Sequence, residues 1–100
     1  MRRENEYQPE LKKRIEARIP GCRIFKNDAN QIQGFPDLSV HYHGRVAYLE
    51  VKRSAHEKKQ PNQEYYVKTL SDEGAFASFI FPENEKETLD AMERALGVAG

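Results

Sequence analysis

Apolar side chains recur along this chain with two different periods, and the changes of period divide it into elements. Tyr7, Leu11, Ile15 and Ile19 stand four residues apart, the spacing that gathers side chains into one stripe of an α-helix. Pro9 suits the first turn of that helix, residues 1–6 form a polar, frayed lead-in, and Pro20-Gly21 ends it. Cys22 to Lys26 reads as a short strand carrying Ile24 and Phe25, and residues 27–33 form a polar loop. The period then becomes two. Leu38, Val40 and Tyr42 alternate with Asp37, Ser39, His41 and His43, and Ala47, Leu49 and Val51 alternate with Val46, Tyr48, Glu50 and Lys52. A second polar loop, residues 54–61, leads to a helix capped by Asn62, with Tyr66, Val67 and Leu70 on its apolar face and Gly74 at its end. Residues 76–81 make a buried aromatic strand. A last helix, capped by Asn84 with Glu87, uses Leu89, Met92, Ala95 and Leu96.

The order αβββαβα predicts an α/β fold, a mixed central sheet flanked by helices. Its last strand returns parallel to a neighbour through a βαβ crossover. The two alternating runs predict a hairpin turning at His43-Gly44, because Gly tolerates positive φ and His does so more readily than most residues. A two-residue turn there pairs Tyr42 with Arg45, Val40 with Ala47 and Leu38 with Leu49. Asp37 then falls opposite Glu50, with Cβ atoms ~5 Å apart, and Lys52 shares their face. Like charges directly opposed are unfavourable. The pairing calls for a cation, and a divalent metal with oxygen ligands would supply it.

Composition narrows the setting. The chain has 100 residues, enough for one domain over 1–100 with a modest core, and 32% of them are charged. No apolar run reaches the ~20 residues of a membrane span, and the basic start is not followed by a signal-peptide core. A single cysteine, Cys22, excludes an internal disulfide and a Cys-rich zinc cage. These features predict a cytoplasmic protein without membrane association. Net charge is zero, yet residues 1–26 hold eight Lys or Arg against four Asp or Glu, and residues 69–100 hold two against seven. Such asymmetry fits a surface that meets phosphate on one side. The candidate contacts are Arg2, Arg3, Lys12, Lys13, Arg53, Lys58 and Lys59. Arg14 and Arg18 flank the helical stripe, either as a phosphate-facing edge or as surface side chains lying along apolar neighbours.

Phosphodiester hydrolysis needs an activated water, neutralised phosphoryl charge and a stabilised leaving oxygen. Asp37 and Glu50 are hard oxygen ligands suited to Mg²⁺ or Mn²⁺, and the carbonyl of Val51 could add a third oxygen. Lys52 beside them could orient the water or stabilise the pentacoordinate phosphate. The Glu-x-Lys tripeptide alone is common; the Gly34-Phe35-Pro36-Asp37 stretch upstream of it on the same face makes it informative. Gly34 permits close approach or unusual φ, and Pro36 sits where a strand start needs no ladder donor.

Gly34-Phe35-Pro36-Asp37, Glu50-Val51-Lys52, Gln63 and Gly74 together resemble the VRR-NUC family of PD-(D/E)xK nucleases, with the restriction-endonuclease-like core, over about residues 10–81. That resemblance implies a stand-alone phage or bacterial enzyme, dependent on Mg²⁺ or Mn²⁺ and without organic cofactor. It implies a homodimer that cuts DNA, in some members branched DNA such as the four-way Holliday junction. It implies Asp37 and Glu50 as metal ligands, Lys52 as catalytic, Gln63 on the next helix near the site, and an acid from the first helix, Glu10 or alternatively Glu16. Pro61-Asn62 departs from the Ser or Thr that often precedes the family's glutamine. Two further classes stay open: a DNA-binding or inhibitory module that keeps the fold without cleavage, and a sequence-specific restriction nuclease.

The remaining candidates have ordinary explanations. His41 shares the face of Asp37 but fits a polar sheet histidine, and His43 fits the turn. His56 lies in the basic loop. Tyr65 and Tyr66 could stack on a base, although Tyr66 falls on the apolar side of its helix. Cys22 lacks a nearby His-Asp pattern for a thiol nucleophile.

Overall fold

The fourfold stripe forms α1 (Glu4–Arg18) in the computed structural model, which describes residues 4–28 and 31–98. Tyr7, Leu11, Ile15 and the following Ile19 are at most 1% exposed. The helix starts earlier than Pro9 suggests, and Pro9 lies inside it. Proline there forfeits one main-chain bond, which the buried Tyr7 turn offsets by docking its hydroxyl on Glu85 at 2.8 Å. Arg2 and Arg3 lie outside the described residues.

Three antiparallel strands follow the helix. They are β1 (Arg23–Lys26), β2 (Leu38–Tyr42) and β3 (Arg45–Val51), with β1 one residue shorter than the sequence suggests. The hairpin register is the expected one, pairing Tyr42 with Arg45, Val40 with Ala47 and Leu38 with Leu49. His43 (φ 49°) and Gly44 (φ 81°) both adopt positive φ, as a primed turn requires.

Helix α2 (Pro61–Asp72) starts one residue before the expected cap. Pro61, with no N–H to satisfy and its φ preset, takes the first helical position. Gln60 is the cap, and its N–H donates to Gln63 Oε1 at 2.9 Å; Asn62 is inside the helix. The end is as expected. Gly74 at φ 101° lets its N–H reach Ser71 O and the Ala75 N–H reach Leu70 O, the paired bonds of a left-handed stop.

Strand β4 (Phe76–Ile80) joins β3 in parallel, giving the sheet order β1-β2-β3-β4. It is an edge strand, so only Ile80 is fully buried and the rest are half-buried, less enclosed than its aromatic sequence suggests. Side chains occupy its outward carbonyls: Ser71 Oγ donates to Ala77 O (3.1 Å) and Asn84 Nδ2 to Phe79 O (3.2 Å). Asn84 also accepts from Phe81 N–H at 2.8 Å. It therefore folds back onto the strand end rather than capping the next helix with its side chain. A 3-10 turn (Pro82–Asn84) leads into α3 (Glu85–Leu96), which buries Leu89, Met92 and Leu96. Ala95 is exposed and Thr88 is buried in that helix.

Strand parity separates two faces. Leu38, Val40, Ala47, Leu49, Val51 and Ile80 point to one side, where α1 and α3 complete the core. Tyr48, Glu50 and the Phe25-Ser39 row point to the other, where α2 lies and Phe35 packs edge-on against Tyr48 and Tyr66. Among the described residues no helix is long and apolar enough to cross a membrane.

Arg14 and Arg18 do not form a phosphate-facing edge. Arg14 holds Glu85 through two bonds of 2.6 and 2.8 Å, and Arg18 pairs with Asp90 and Glu93, so both tie α1 to α3. Burial raises the Glu85 carboxyl, but the bonds from Arg14 and Tyr7 and the charges of Arg14 and Arg18 outweigh it and hold the group below its ordinary value of 4.5. A carboxyl depressed in the folded state contributes stability that is complete above the unfolded value and lost as pH falls through the folded one. Thermal melts of the wild type and Glu85→Gln should therefore differ near neutral pH and converge as the pH drops well below 4.5. A constant difference across that range would remove this role from Glu85.

Candidate active site

The two acids meet at the end of the sheet where β2 begins and β3 finishes. The last ladder pair is Leu38 with Leu49, and the Asp37 carboxylate continues the pairing itself, its Oδ2 accepting the Val51 N–H at 2.8 Å. Its other oxygen accepts no hydrogen bond among the described residues. The Asp37 main chain is fixed from β1: Asn27 N–H donates to Asp37 O (2.7 Å), and Asn27 Nδ2 donates to Pro36 O and Ser39 Oγ, both at 2.9 Å. Pro36 is fully buried. Asn27 looked like loop in the sequence. Its role comes from the β1–β2 pairing, which residue type alone does not reveal.

Glu50 and Lys52, both 3% exposed, stand beside it on the α2 face. Gln63 joins them. Its Nε2 donates to Glu50 Oε2 at 3.1 Å, while its Oε1 accepts from Lys52 Nζ at 2.6 Å and from Gln60 N–H. One amide thereby caps α2 and sets the spacing of the acid and the amine. Lys52 Nζ also donates to Lys58 O at 3.2 Å and lies 3.7 Å from Glu57 Oε2. An ammonium this buried is tolerable only with such partners. Glu57 stays charged beside it. Burial raises that carboxyl, but bonds from the Arg53 backbone and guanidinium and the charges of Lys52 and Arg53 pull it below the usual range. Sequence spacing gave no signal for Glu57.

Close packing under the site comes from Gly34. At φ 86° it lies so near α2 that an added Cβ would meet Asn62 Cβ at 2.4 Å and Asn62 C at 2.8 Å. The preceding loop and the first turn of α2 are thus in direct contact, which seats Gln63 against β3.

Other candidates lie elsewhere. Glu10 is exposed on α1 near Arg14, and Glu16 is exposed beside Cys22. Among the described residues no three His, Cys, Asp or Glu side chains form a group fit for a metal, so the structure does not gather Glu10 with Asp37 and Glu50. Lys12 and Lys13 are on α1, across the sheet from Lys52. Arg53 is paired with Glu57, Lys58 and Lys59 are exposed, and the Lys59 ammonium sits 4.8 Å over the Phe79 ring. His41 packs edge-on to Phe25, His43 stacks on Tyr42, and His56 is exposed. Tyr65 is exposed and Tyr66 half-buried against Phe35. Burial raises the Cys22 thiol pKa, which leaves it a poor nucleophile.

The donor set suits a hard cation. Two carboxylates from adjacent strands, one with an uncommitted oxygen, match Mg²⁺, which is usually held by one or two carboxylates with water and substrate phosphate completing its shell. No family model and no curated protein matches this chain. A solved structure named "VRR_NUC domain protein" superposes with a TM-score of 0.61 at 14% sequence identity, covering 91% of this chain and 88% of that one. Over nearly its whole length, the chain has the fold of a VRR_NUC domain protein.

Proposed function

We propose that this protein is a Mg²⁺- or Mn²⁺-dependent DNA endonuclease, selective for branched DNA such as a four-way junction and acting as a homodimer. The observation that carries the reading is the Glu50-Gln63-Lys52 chain of hydrogen bonds beside Asp37. A structural salt bridge would pair Lys52 directly with Glu50. Here an amide bridges them, so the acid and the amine stand on either side of Gln63 and do not bond each other directly.

Asp37 and Glu50, with the Val51 carbonyl, would hold the ion, which when bound supplies charge for the phosphoryl oxygens and acidifies a water. Gln63 orients Glu50 toward it. Lys52 places two of its N–H donors on Gln63 and Lys58 and faces Glu57 at 3.7 Å; it would exchange Glu57 for the scissile phosphate or the attacking water. Lys58 and Lys59, exposed on the loop beside the site, would contact phosphates and position the DNA without reading its sequence. One chain carries one such site, so paired cuts across a junction require two copies.

The test is cleavage of linear duplex, flap and four-way junction DNA in Mg²⁺, Mn²⁺ and EDTA. The expected result is metal-dependent cutting, fastest on the junction. DNA binding without cleavage in either metal would identify a non-catalytic binding or inhibitory module instead.

A further inference from the structure

Helix α2 covers only the β3–β4 half of the site face, and the β1–β2 half carries an exposed aromatic ring. Phe25 is 51% exposed on β1, in the row Phe25-Ser39-Tyr48, on the same face as Glu50. His41 meets it edge-on, with ring centroids 4.9 Å apart and planes at 86°. That contact fixes the plane of the ring while half of the residue stays exposed. Strand spacing puts the Cα of Phe25 roughly 8 Å from that of Asp37, one row across and two residues along.

On the side of the ring away from Asp37 the charge is basic. A cleft of about 530 Å³ beside it is lined by Arg23, Phe25, His41, Tyr42 and His43, with no carboxylate among its lining residues. Most described arginines elsewhere are committed: Arg14 and Arg18 to α3, Arg53 to Glu57. Arg23, two residues before Phe25 and on the same face, makes no ion pair among the described residues; Lys26 alternates to the face of Leu38 and lines a recess with Asp28 and Asp37. An exposed aromatic ring beside an uncommitted cation is an arrangement that binds single-stranded nucleic acid: a base stacks on the ring and the cation meets the backbone. We infer that the β1–β2 surface is a stacking platform for an unpaired nucleotide of the DNA, with Phe25 taking the base and Arg23 a neighbouring phosphate. This rests on the nuclease reading above and refines it: the bond cut would lie next to a nucleotide that has left the duplex.

The experiment is fluorescence anisotropy in EDTA, with a labelled twelve-nucleotide oligo-dT and a twelve-base-pair duplex as probes. Phe25→Ala should bind the single strand about five- to hundred-fold more weakly, the range for losing one stacked base, with duplex affinity nearly unchanged. Phe25→Trp should retain single-strand binding. Arg23→Ala should weaken both probes and flatten the salt dependence. Unchanged single-strand affinity in Phe25→Ala would overturn the platform. So would a change of oligomeric state by sedimentation in that variant, which would assign the ring to contact with a second copy. Loss of single-strand affinity in a protein that cuts no DNA would support the platform and overturn only the nuclease reading.

Discussion

Lys52→Ala is expected to lower DNA cleavage by roughly 10²–10³-fold, the usual cost of removing one preorganised charge from a developing oxyanion. The side chain is 3% exposed and fixed at 2.6 Å by Gln63 and 3.2 Å by Lys58 O, so little reorganisation is needed when a phosphate arrives. Asp37→Ala should be at least as damaging, because it removes the proposed ion ligand as well as the acceptor for Val51 N–H. Gln63→Ala should lose less, about 10–100-fold, as expected of a residue that orients a ligand without being one. Rates in Mn²⁺, with circular dichroism to confirm folding, check all three. A folded Asp37→Ala protein that cuts at the wild-type rate would remove the site. Lys52→Met, which keeps the stem, separates loss of charge from loss of packing.

Gly34→Ala should cost activity from outside the site. The φ of 86° adds strain of about 1–2 kcal/mol for any residue with a Cβ. The new methyl meets Asn62 at 2.4 Å and its main-chain carbon at 2.8 Å, and overpacking of this kind adds about 1–3 kcal/mol. The melting temperature should fall by roughly 10 °C or more. Relief of the contact requires the first turn of α2 to move, which carries Gln63 away from Glu50 and Lys52, so cleavage should fall beyond what unfolding explains. Adding Asn62→Gly removes the nearer obstacle but leaves the main-chain contact and the strain, so it should restore only part of each loss. An unaltered melt and rate for Gly34→Ala would show that this approach is not needed.

Much of the fold was legible because it obeys local rules. The fourfold stripe and the period-two runs each named a buried face, and His43-Gly44 fixed the register that sets Asp37 next to Glu50. What was not legible depends on contacts between distant residues. Arg14 and Arg18 had the charge of a phosphate-binding edge, but α3 brings Glu85, Asp90 and Glu93 to them. Asn84 had a capping residue's identity, yet the end of β4 offers its side chain better partners. Pro9 and Pro61 show the limit of a positional preference. Pro61 does open its helix, while Pro9 is overruled by the burial of Tyr7 two residues earlier. Asn27 and Glu57 were invisible because their work is support: each steadies a site residue that lies close only after folding.

The outer rim of β4 bears on how molecules of this protein associate. An incoming segment would need to be received by Ala77 O and Phe79 O, and Ser71 and Asn84 already fill those places. Sheet-to-sheet growth along that border is thus disfavoured, which guards against fibrous aggregation when the protein is concentrated. Any pairing of two copies for double cutting would then avoid that border and use helices, loops or the opposite edge at β1.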